Sequence, residues 1–78
     1  MSSVQKLISS MLADLVTHAC KQYLTQSEQL LVVAMCQTHR EQMEPQIIKR
    51  LRSGAFGDPK QSARAMLEAA QAAASEVQ

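Results

Sequence analysis

Aromatic residues are almost missing from this chain. Its 78 residues include one Phe, one Tyr and no Trp, so any core has to be assembled from Leu, Ile, Val, Met and Ala. Only two glycines and two prolines are present. That leaves little material for turns and favours long helices. No stretch is long and apolar enough to span a bilayer. The first apolar stretch is amphipathic and contains Asp14, unlike a secretory signal, so a cytoplasmic location is expected. The net charge of +1 excludes a strong polyelectrolyte effect. With only Cys20 and Cys36 present, free buried thiols are expected rather than a disulfide framework. One small domain over residues 1–78 fits the length, and chains of this size bury only roughly 60% of their unfolded surface.

What is there centres on the stretch from Thr25 to Gly54. Thr25 and Glu28 have the spacing of a reciprocal capping box, in which each side chain satisfies a free backbone N–H at the helix start. From Leu30 to Cys36 the chain reads LLVVAMC, apolar without a break. Val32 and Val33 lean toward a strand, but the cap and the flanking helix formers decide for helix. A helix apolar all round is covered on more than one face. Leu30, Leu31, Ala34 and Met35 are expected to meet one neighbour; Val32, Val33, Cys36, Met43, Ile47 and Leu51 meet another. Pro45 removes a backbone hydrogen bond, so a kink or break is expected near Glu41 to Glu44, with 44–45 as the boundary. Gly54 follows three cations and marks the stop. This segment, 26–53, reads as the middle helix.

Before it, Ser2 or Ser3 can cap a first helix over about 3–24. Its apolar stripe is Val4, Leu7, Ile8, Met11, Leu12, Leu15, Val16, Ala19, Tyr23 and Leu24, with Lys6, Ser10, Asp14, Thr17 and Lys21 on the solvated side. The link at Leu24 and Thr25 is so short that the first two helices form an antiparallel hairpin. After the Ala55–Gly57 loop, Asp58 as N-cap and Pro59 at the first helical position open a third helix over 58–76. Ala63, Met66, Ala70, Ala73 and Val77 recur along it at heptad spacing. The predicted fold is all-α: a helical hairpin plus an alanine-rich third helix, with the middle helix kinked or broken near Pro45.

Candidate chemistry is sparse. His18, Cys20, Cys36 and His39 supply the inventory of a zinc site. On a helix, however, His18 and Cys20 point about 200° apart at roughly 100° per residue, and the hairpin sets Cys36 and His39 far from Cys20. A Cys36–His39 nucleophile pair lacks both a glycine-rich oxyanion turn and an orienting group. There is no phosphate loop, and the carboxylates are scattered. No catalytic residue, metal or cofactor is expected.

Two features bear on partners. Five of the eight cations, Lys49, Arg50, Arg52, Lys60 and Arg64, gather around the second turn, the arrangement of a small DNA-binding regulator. The helix that would read bases is mostly Gln, Ala and Ser, which offers little to base edges or phosphates. The second feature is an apolar excess with five methionines, a residue suited to accepting partner helices. We therefore expect a non-catalytic helical interaction module, an adaptor, regulator or chaperone-like chain. It would bind a partner helix or a second copy of itself through Leu30, Leu31, Ala34, Met35, Met66, Ala70, Ala73 and Val77. In size and helical character the chain is like the small helical chaperones and adaptors, bacterial secretion chaperones among them. That analogy is of class, with no motif behind it.

Overall fold

The computed structural model describes Ser10 and residues 18–77. Among these residues there are helices and turns but no strands, and the helices pack against one another as a small all-α bundle. A π-type turn at 18–19 leads into α1, Cys20–Tyr23. α2 is Gln26–Thr38, α3 is Arg40–Arg52 and α4 is Pro59–Val77. Most of the expected first helix, including Val4 to Val16 with Lys6, Asp14 and Thr17, lies outside the described residues apart from Ser10.

The local signals act where the sequence places them. Glu28 N–H donates to Thr25 Oγ1 at 3.2 Å, and Thr25 N–H donates to Glu28 Oε1 at 2.9 Å. The capping box therefore starts α2. At the far end of α3, Gly54 takes φ +82°, where an L side chain is strained. Its N–H donates to the Leu51 carbonyl at 3.2 Å, while Ala55 N–H donates to that of Arg50 at 3.0 Å. These are the paired bonds of a Schellman stop. Asp58 Oδ1 accepts from Gln61 N–H at 2.8 Å and opens α4.

The middle helix is broken, and the break sits at His39 rather than at 44–45. His39 leaves helical geometry with φ −131° and ψ 48°, closing α2 and opening α3 without a side-chain cap. Pro45 lies inside α3, a turn and a half further on. The proline deprives the Glu41 carbonyl of its donor and weakens this stretch. The break lies upstream of that position, and α2 and α3 on either side of it both pack onto α4.

The centre of the fold is α4, not the middle segment. It packs against α3, α2 and α1. Ala63, Ala65, Met66, Leu67, Ala69, Ala70 and Ala73 are all buried, together with Ser62. At about 100° per residue these positions cover roughly 200° of the helix circumference, far wider than a heptad stripe. Alanine makes this possible, because a helix with short side chains admits several neighbours at close range. Val32, Met35, Met43 and Ile47 fill the space around it, with Cys20, Ala19 and Leu24 from the α1 region. Leu31, Cys36, Ile48 and Phe56 pack on the margin.

Candidate functional site

The residues expected to receive a partner divide into two groups. Met35, Met66, Ala70 and Ala73 lie in the chain's own core and are not available at its surface. Leu31 is half-buried against that core. Leu30 and Ala34 are exposed on α2, and Val77 is exposed at the last turn of α4. Within the single chain, then, one side of the LLVVAMC run is uncovered, at Leu30 and Ala34.

Leu30 is 64% exposed, more than Tyr23, Leu51 or Val77. Its exposed neighbours on α2 are Gln26, Ser27, Ala34, Gln37 and Thr38. At about 100° per residue they occupy roughly one third of the circumference. Val33 and Leu31, both half-buried, border this strip on either side. No charged residue falls on it. The only charged residue of α2 is Glu28, and its carboxylate is engaged in the capping box. The hydroxyl of Thr38 is turned back on its own helix, donating to the Ala34 carbonyl at 2.6 Å. The strip therefore presents two apolar side chains among neutral polar ones.

The five clustered cations have different surroundings. Arg50 is committed within the fold: Nη1 donates to the Gln46 carbonyl at 3.1 Å and to Gln46 Oε1 at 2.8 Å. Its Nε faces Glu68 Oε1 of α4 at 3.9 Å. Lys49 and Arg52 are exposed in the last turn of α3, where cations favour the negative end of the helix dipole. Lys60 and Arg64 line an open hollow of about 610 Å³ between the α3–α4 turn and α4. Ser53, Gly54 and Ala55 form one wall, and Gln61, Ala65 and Glu68 complete the other. Sequence reasoning found the cations but not the hollow, which depends on how the Schellman turn meets α4.

The Cys/His set does not assemble into a centre. Among the described residues no three metal-ligating side chains come together. His18 is exposed, lining a second open hollow with Phe56 and Pro59, while His39 sits at the helix break. The placement of Cys36 far from Cys20 needs correction. Cys20 is in the core and Cys36 packs on its edge, near enough for one thiol's charge to act on the other. Burial, then Cys20, pushes the Cys36 thiol up to about 11, against a smaller lowering by the Arg40 guanidinium. Burial also raises Cys20. Thiols raised in this way are protonated at neutral pH and poor nucleophiles.

Among the described residues no helix is long and apolar enough to cross a membrane. Comparison with protein families, curated proteins and solved structures finds no match to this chain.

Proposed function

We propose that this protein is a small non-catalytic helical interaction module that associates through the uncharged outer face of α2, with a second copy of the chain as the occupant. The observation that carries this reading is the bare strip centred on Leu30 and Ala34. A solvated helix face normally carries charge, whereas charged residues are depleted at the centres of protein interfaces. A charge-free strip also suits contact across a two-fold axis, since each patch then meets itself without like-charge repulsion.

The fold supports this division of labour. α4 gathers α2 and α3 through alanine-mediated contacts and leaves the opposite side of α2 free. The mechanism is helix-to-helix packing driven by apolar burial, with Leu30 inserted between side chains of the partner's α2 and Leu31 and Val33 on its flanks. Sedimentation equilibrium of the wild-type chain beside Leu30→Asp tests it.

A further inference from the structure

We propose that the hollow beside the α3–α4 turn binds an acidic peptide segment that also carries an apolar side chain. The site is separate from the outer face of α2, and none of its lining comes from α2. It stands whether or not the chain self-associates.

Charge is the first argument. Between Lys49 and Glu68 the chain has five cations and two carboxylates, and of these Lys60, Arg64 and Glu68 line the hollow itself, two positive charges against one negative. Each carboxylate has a partner, although Glu68 stays 60% exposed with its second oxygen unengaged among the described residues. Asp58 caps α4 through Gln61 N–H, and Glu68 faces Arg50. Lys60 and Arg64 stand one turn apart on the exposed side of α4, and neither makes an ion pair or side-chain hydrogen bond among the described residues. They are two cations open to an incoming anion.

Shape is the second argument. The hollow has methyl groups in its lining as well as charge, from half-buried Ala55 and buried Ala65. Those surfaces accept an apolar side chain or the methylenes of a glutamate. Both walls are held before any ligand arrives: the Schellman bonds fix Gly54 and Ala55, and the Asp58 cap fixes the first turn of α4. A ligand therefore meets a site whose ordering cost is already met by folding.

Glu68 decides between anion classes. It follows Lys60 and Arg64 at successive four-residue steps, so a carboxylate terminates the cationic row. A continuous phosphate backbone running along that row meets this negative charge and has no N–H to offer it. A peptide answers both ends, with carboxylates toward Lys60 and Arg64 and backbone N–H groups toward Glu68.

The test is a chemical-shift titration of the full chain with a short blocked peptide of glutamates around a single leucine. Parallel titrations use inorganic phosphate and a short DNA duplex at the same ionic strength. The peptide is expected to move the amides of Gly54, Ala55, Gln61, Arg64 and Ala65, with binding weakened about tenfold or more in Lys60→Glu/Arg64→Glu. If that double reversal disturbs folding, Lys60→Gln/Arg64→Gln should still weaken binding. Peptide shifts that are absent or centred elsewhere would overturn the proposal. So would DNA binding more tightly than the peptide, or phosphate reproducing the same shifts at equal affinity. Leu30→Asp should leave the peptide titration unchanged.

Discussion

Gln46 and Glu76 lie thirty residues apart in the chain, yet the side-chain amide of Gln46 donates to Glu76 Oε1 at 3.1 Å. The same amide accepts from Arg50 at 2.8 Å through its oxygen. Arg50 in turn faces Glu68. One glutamine thus sits at the middle of a polar strip that runs down the outside of the α3–α4 pair and sets the two helices antiparallel. Gln46→Ala removes both roles and should cost about 0.5–1.5 kcal/mol of stability, read as a lower urea midpoint. Glu76→Gln keeps an acceptor oxygen and should cost less. Equal losses from the two would mean that the amide oxygen contributes nothing through Arg50.

The central position of α4 leads to a second expectation. Ala70 is fully buried where α4 meets its neighbours, so there is no room for a larger side chain without moving a helix. Ala70→Leu should destabilise the fold by about 1–3 kcal/mol despite adding apolar surface. Gln71→Leu, one residue on but exposed, should change stability by no more than about 0.5 kcal/mol. Thermal unfolding of the two variants makes the comparison. A tolerated leucine at 70 would mean that α4 is not the close-packed centre described here.

The helices were legible because their ends are made by local chemistry. Thr25 with Glu28, Gly54, and Asp58 with Pro59 each act within a few residues of themselves, and each does in the structure what its type suggests. Two features were not legible. The break at His39 has no side-chain cap and no glycine to announce it; it arises from the need of α2 and α3 to reach the same helix. The central role of α4 was hidden because its alanines repeat at heptad spacing, which points to one neighbouring helix, whereas three pack around it. Heptad spacing picked out Ala63, Met66, Ala70 and Ala73 but missed Ala65, Leu67 and Ala69, which a wheel wider than two positions in seven brings in. The site followed the same pattern. Leu30 and Ala34 stayed outside while Met35, Met66, Ala70 and Ala73 went inside, a division that only the packing of three helices decides.

The thiols give a pH dependence whose sign follows from their burial. Cys36 ionises near its ordinary value of 9.0 when unfolded and at about 11 when folded. Below pH 9 both states hold the proton and this group contributes no slope. Between about 9 and 11 the unfolded state has lost a proton that the folded state keeps, so stability falls as pH rises. The difference in unfolding free energy between wild type and Cys36→Ala should therefore shift against wild type across that window. Iodoacetamide should modify Cys36 slowly at pH 8 in the folded chain and readily in urea. A pH-independent difference between the two proteins would contradict the buried, protonated thiol.

The central claim is that the charge-free strip of α2 is an interface, and one measurement addresses it directly. Aspartate at position 30 places a charge in the middle of the strip at a site 64% exposed, where it disturbs no core contact. Its cost to the helix itself is within about 0.7 kcal/mol. Gln71→Asp, on the exposed side of α4, adds the same charge away from the strip. In sedimentation equilibrium at micromolar concentration, wild type and Gln71→Asp should show a mass above that of the 8.6 kDa chain, rising with concentration. Leu30→Asp should return to the single-chain mass while keeping its helical circular dichroism. A wild-type chain that stays at 8.6 kDa across the range, with Leu30→Asp indistinguishable from it, would contradict the account.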